Sequence, residues 1–102
     1  MKKYTCARLV HPGEILKEEI EYRELSQSKL AEQIGMPYKA LNHILNGHRS
    51  LTPSTAMLFE AALGIPADML IGLQTDYTMS LVKQDKSFAE RLAQIRKVVA
   101  VL

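Results

Sequence analysis

The feature that most constrains this chain is a glycine, Gly35, set between two short apolar patterns of helical period. Leu30 and Ile34 are four apart before it, and Leu41, Ile44 and Leu45 repeat at helical steps after it. Ser26 is suited to cap the first helix, Gln27 to Ile34, because its hydroxyl can accept from an otherwise orphaned N–H of the first turn. Gly35 supplies the left-handed backbone that a tight interhelical turn requires. Met36-Pro37 completes the turn, and Pro37 presets the backbone for a second helix running through Asn46. Leu30, Ile34 and Met36 anchor the first helix and the turn. Ala31 is small where the second helix crosses close over it, and Leu41 and Ile44 form that helix's inner face.

The rest of the chain is punctuated in the same way. His11-Pro12-Gly13-Glu14 reads as a helix start, with Ile15, Leu16, Ile20 and Leu25 as its apolar stripe and Glu18, Glu19, Glu21 and Arg23 in water. Thr52-Pro53 opens a fourth helix that Gly64 closes, with Ala56, Leu58, Phe59, Ala62 and Leu63 as its core candidates. Pro66-Ala67-Asp68 opens a fifth, carrying Met69, Leu70, Leu73 and Tyr77. Residues 12–78 thus hold five short helices joined by short connections, an all-α class whose consecutive helices pack on one another. Beyond Lys83, Ser87-Phe88-Ala89-Glu90 has the spacing of a capping box, and Phe88, Leu92, Ile95, Val99 and Leu102 recur at steps of four, three, four and three. Two heptads do not sustain a coiled coil alone, so this seam docks either on its own domain or on another chain. The β-branched run Val98-Val99-Ala100-Val101-Leu102 leaves a terminal strand as the alternative. The expected organisation is an N-terminal arm over 1–10, a domain over 11–78 and a C-terminal extension over 79–102.

Charge is informative through its distribution. The formal net charge is only +2, yet five of the eleven acids fall between Glu14 and Glu24, and none lies between Glu32 and Glu60. That acid-free stretch contains Lys39, His43, His48 and Arg49, and it can approach phosphate without repulsion of its own making. No apolar run is long enough to cross a bilayer, and Tyr4-Thr5-Cys6-Ala7-Arg8 interrupts any signal-peptide core after Met-Lys-Lys. The single cysteine, Cys6, excludes an intrachain disulfide and fits a reducing compartment, so a cytoplasmic protein is expected. Lys2, Lys3 and Arg8 make the N-terminal arm basic. No nucleophile–base or phosphate-loop pattern is present, His43 and His48 lack a further ligand nearby, and Glu18-Glu19 point to different faces. The expectation is a protein that is not an enzyme and holds neither cofactor nor metal.

The outward residues of the second helix in the pair, Pro37, Tyr38, Lys39, Asn42, His43 and Asn46, are polar, acid-free and carry one cation, which is the character of a helix that enters a major groove. Here the sequence resembles a known family. Ser26 to Gly35 looks like the first half of a Cro/C1-type (Xre) helix-turn-helix. His11-Pro12-Gly13-Glu14-Ile15-Leu16, Leu45-Asn46-Gly47-His48-Arg49, and Leu73-Gln74 with Tyr77 together resemble the HigA/VapI-type antitoxins over about residues 11–78. The chain departs from the family at Pro37, where a serine commonly caps the reading helix, and at Met69-Leu70 and Gly72. The resemblance implies a five-helix, lambda repressor-like DNA-binding domain, here with an extra C-terminal helix, and a phosphate contact at Gln27.

Base reading is expected of Tyr38, Lys39 and Asn42. Asparagine pairs with adenine N6 and N7, lysine reaches guanine O6 and N7, and tyrosine touches a thymine methyl or a phosphate. Gln27, His43, Asn46, His48 and Arg49 are expected on the DNA backbone. One such domain reads too few base pairs to find a single site, so a homodimer on a palindromic operator is expected. The resemblance further implies a type II toxin–antitoxin role, neutralising a RelE/HigB-like RNase toxin and repressing its own operon. A stand-alone Xre regulator without a toxin, and a protein-interaction module on the same fold, are the alternatives.

Overall fold

The computed structural model describes residues 9–102, so the expectations for Lys2, Lys3, Cys6 and Arg8 lie outside the described residues. Six helices follow one another: α1 (Pro12–Tyr22), α2 (Gln27–Ile34), α3 (Tyr38–Leu45), α4 (Pro53–Leu63), α5 (Ala67–Gln84) and α6 (Lys86–Ala100). Among the described residues there is no strand.

The boundaries follow from local chemistry. The Ser26 hydroxyl accepts from the Lys29 N–H at the start of α2. Gly35 closes that helix in the left-handed conformation at φ 76°, a backbone that a side chain would strain. The Thr52 hydroxyl caps α4 ahead of Pro53. Pro37 precedes α3 in extended conformation and offers no side-chain cap.

Helix α1 packs on α3 and α5, α2 on α3 and α4, and α4 on α5. At the centre Leu16, Ile20, Leu41, Phe59 and Leu70 are completely buried, and Leu30 of α2 joins them, so each of these five helices commits a large side chain to one core. Arg23 ties the α1 exit to α4, its guanidinium donating to the Leu63 carbonyl at 2.7 Å. Gly13 is dictated by packing. A Cβ there would lie inside the Ile44 carbonyl oxygen, so the first turn of α1 crosses the end of α3 backbone against backbone.

Several expectations are corrected. Leu58 and Ala62 are exposed because α4 turns Ala56, Phe59 and Leu63 inward. They line an open groove of about 790 Å³ with Leu25, Lys29 and Ile34. Leu25 and Met69 also lie outside the core. Helix α5 runs on past residue 78 to Gln84. Its successor is capped by Asp85, whose carboxylate accepts from the Phe88 N–H at 3.1 Å, while Ser87 lies within the first turn of α6. The β-branched run from Val98 continues the helix to Ala100 instead of forming a strand. No residue of α6 is buried, and the seam from Phe88 to Leu102 meets no core of its own chain.

Candidate nucleic-acid interface

Helix α3 carries its apolar side chains, Leu41, Ile44 and Leu45, into the core, and this places the intervening positions toward solvent. Tyr38 is 51% exposed, and Lys39, Asn46, His48 and Arg49 are exposed as well. Asn42 and His43 are half-buried on the same helix, and Gln27 is half-buried at the first position of α2. The His43 and His48 rings lie 6.3 Å apart, brought together because the His48 N–H closes back onto the His43 carbonyl at 2.8 Å.

Three of these residues are joined by side-chain hydrogen bonds. The Asn42 Nδ2 donates to Gln27 Oε1 at 3.5 Å, linking the start of α2 to the middle of α3. Asn46 Nδ2 donates both to the Asn42 carbonyl at 2.9 Å and to Asn42 Oδ1 at 3.3 Å. A residue that sequence reasoning missed completes the series: Lys17 of α1 donates from Nζ to Asn46 Oδ1 at 3.2 Å. Lys17 sits 29 positions from Asn46, and no local pattern couples them.

The loop after α3 is held from beneath by two buried polar side chains. The Gln74 Oε1 of α5 accepts from the Leu51 N–H at 2.8 Å, and its Nε2 donates to the Thr78 hydroxyl at 3.1 Å. His11 caps α1, its Nδ1 accepting from the Gly13 N–H at 2.9 Å, with its ring edge-on to Tyr77 at 5.1 Å. Burial holds the His11 pKa below its ordinary value of 6.5, against the opposing pull of a hydrogen bond with the Arg49 backbone and of the Glu14 charge. The neutral ring suits its place, since Nδ1 must stay unprotonated to accept from Gly13. His11, Gly13, Gln74 and Tyr77 all lie in segments that carry the family resemblance. Their shared work is to fix where α3 ends and how the chain leaves it. A polar residue next to Leu73, in an apolar stripe, was the available signal for Gln74.

Among the described residues no group of three His, Cys, Asp or Glu side chains converges on a metal position, and no helix is long and apolar enough to cross a membrane.

Taken together, a left-handed glycine turn between two short helices, the second with an acid-free outer face, is the arrangement of a helix-turn-helix. The helix-turn-helix family profile matches residues 16–70. The chain belongs to the Xre-type helix-turn-helix family of DNA-binding regulators. It is 33% identical to virulence-associated protein I of Dichelobacter nodosus over 78 residues, which is 76% of this chain and 72% of that protein. It is similar to an addiction module antidote protein of the HigA family from Coxiella burnetii, with 32% identity, a TM-score of 0.71, and coverage of 82% of this chain and 94% of the other. A Pseudomonas aeruginosa protein solved in complex with its 28-base-pair operator shares the fold, with 24% identity, a TM-score of 0.69 and coverage of 88% and 94%.

Proposed function

We propose that this chain is a sequence-specific transcriptional repressor and the antitoxin of a type II toxin–antitoxin pair. It acts by binding and not by catalysis, and it works in the cytoplasm. Tyr38, Lys39 and Asn42 read bases, and Gln27, His43, Asn46, His48 and Arg49 hold the backbone. The observation that carries the DNA half is the outward face of α3, where Tyr38 and Lys39 are exposed and Asn42 is half-buried, without a carboxylate among them. The Pseudomonas relative bound to its operator supports the same use of the fold.

Binding to operator and scrambled duplexes, titrated at several salt concentrations, tests the assignments. Asn42→Ala weakens operator binding by about 1–3 kcal/mol and relaxes sequence preference. Arg49→Ala weakens binding to every duplex alike and flattens the salt slope by roughly one unit. Equal losses on both duplexes for Asn42→Ala overturn its base-reading role.

The protein acts as a homodimer on a palindrome with half-sites about one helical turn apart. The apolar face of α6 supports this reading, with Ile95 49% and Val99 58% exposed on a helix that has no core of its own. Sedimentation of the protein with and without its operator tests it, and a strict monomer in both states overturns it. The antitoxin half rests on the HigA-family likeness. Its partner is a basic RelE/HigB-like RNase of roughly 90–110 residues, a small-domain size, encoded beside it. Co-purification with that neighbour, together with loss of its RNA cleavage, is the test.

A further inference from the structure

We infer that Lys17, on α1, sets the base preference of the reading helix by fixing which way round the Asn42 amide points. This rests on the proposal that the α3 face reads DNA. The argument is one of hydrogen-bond polarity. An asparagine or glutamine amide offers two N–H donors and a carbonyl oxygen with two lone pairs, and a half-turn exchanges the two ends. Of the four side chains in series, Gln27, Asn42 and Asn46 are all amides of this kind. Lys17 alone is a donor only.

That end of the series therefore dictates its direction. Because Lys17 Nζ donates, Asn46 must face it with Oδ1. The Nδ2 of Asn46 then faces Asn42 Oδ1, and Asn42 in turn faces Gln27 with its Nδ2. The Asn42 backbone carbonyl accepts from the same Asn46 Nδ2, so the Asn46 amide is held at both ends, and removing Lys17 takes away one of its two restraints. What remains free on Asn42 is one N–H and one lone pair. Adenine presents N7 as an acceptor and N6–H as a donor in the major groove, so these two spare sites match it bidentately. With the amide reversed, the donor and acceptor trade places and the match is lost. Lys17 is thus a positioning residue that acts on the bases through Asn46 and Asn42.

The experiment uses the full chain. Wild-type protein enriches a duplex from a random library, and affinities for that duplex and a scrambled one are measured between 50 and 200 mM salt, roughly the range in which phosphate contacts are counted. Lys17→Met keeps most of the side-chain length and removes the donor. The expected result is a three- to tenfold fall in the ratio of selected to scrambled affinity, about 0.7–1.4 kcal/mol of discrimination. Lys17→Arg, again a donor only, restores the ratio. Asn46→Asp reaches the same end from another residue: an acceptor-only side chain draws the Asn42 amide round, and the ratio falls again while melting confirms the fold.

A ratio unchanged in Lys17→Met overturns the inference, even where both affinities drop together and the salt slope falls by about one, because that outcome describes a phosphate contact alone. An unchanged ratio in Asn46→Asp overturns it equally. These results are distinct from failure of the DNA-reading proposal itself, in which wild-type protein enriches no sequence and both ideas fall.

Discussion

The body of the molecule and its last helix are built from the same kinds of residue and meet opposite fates. In α1, α3 and α4 the apolar side chains at helical spacing, such as Leu16 and Ile20, Leu41 and Ile44, or Phe59 and Leu63, are buried against one another. In α6, Phe88, Ile95, Val98 and Val99 have the same periodicity and remain exposed. Helix α5 takes part in both regimes, with Leu70 and Gln74 buried near its start and Met79, Leu81 and Val82 exposed toward its end. The longest dimension is 58 Å against 29 and 20 Å for the others. Periodicity therefore establishes that a helix has an apolar face, while burial requires a partner within reach. A 15-residue helix without such packing is marginal by itself, and among the described residues α6 has none beyond its neighbour α5.

This contrast is open to attack, beginning at the centre. Phe59→Ala removes the largest completely buried side chain and is expected to lower the body's stability by about 3–5 kcal/mol, read by urea unfolding. A loss below 1 kcal/mol means that the core is not where the body's stability resides. Gly13→Ala drives a methyl group into the Ile44 carbonyl, and a cost of about 1–3 kcal/mol is expected from the same measurement. Retention of wild-type stability contradicts the backbone contact between α1 and α3.

Smaller effects come from the polar supports. Gln74→Leu leaves the Leu51 N–H unpaired and is expected to cost about 1–2 kcal/mol, with amide exchange at Leu51 accelerating first. Protection at Leu51 that survives the substitution removes Gln74 from that role. His11 adds a pH dependence of definite sign. Its folded pKa lies below 6.5, so its contribution is complete above about that pH and is lost as the pH falls below it, when the unfolded chain takes up a proton that the buried ring resists. Thermal midpoints measured from pH 8 downward decline, and His11→Asn, which retains a capping oxygen, flattens the part of the decline due to this ring. An identical decline in the variant assigns it elsewhere. At the other end of the comparison, Ile95→Asp with Val99→Asp is expected to change the body's unfolding free energy by less than about 0.5 kcal/mol while abolishing the proposed self-association in sedimentation. A large loss of body stability means that α6 belongs to the core after all.

The candidate site was legible where its geometry is local. The Ser26 cap, the Gly35 turn and the alternation of Leu41, Ile44 and Leu45 with Tyr38, Asn42 and Asn46 are all readable within a few residues, and the limits of α2 follow from them. Lys17 was not readable, because its link to Asn46 depends on how α1 crosses α3, and that crossing rests on Gly13 lacking a side chain. Gln74 stood in a stripe of apolar residues with no hint that its amide oxygen would accept from the Leu51 N–H, 23 positions away. The cap of α6 was assigned to Ser87 because serine and glutamate three apart is a recognised spacing. Asp85 holds the position instead because its own carboxylate reaches the Phe88 N–H.

Sequence alone settled what depends on neighbours along the chain: where helices start and stop, and which residues α3 turns away from its apolar stripe. Tertiary structure alone decided which polar groups from separate helices converge on Asn42, which buried side chains brace the loop after α3, and that α6 finds no core. The division is physical, since capping and backbone conformation are set within one helical turn, whereas convergence is set by the crossing of whole helices.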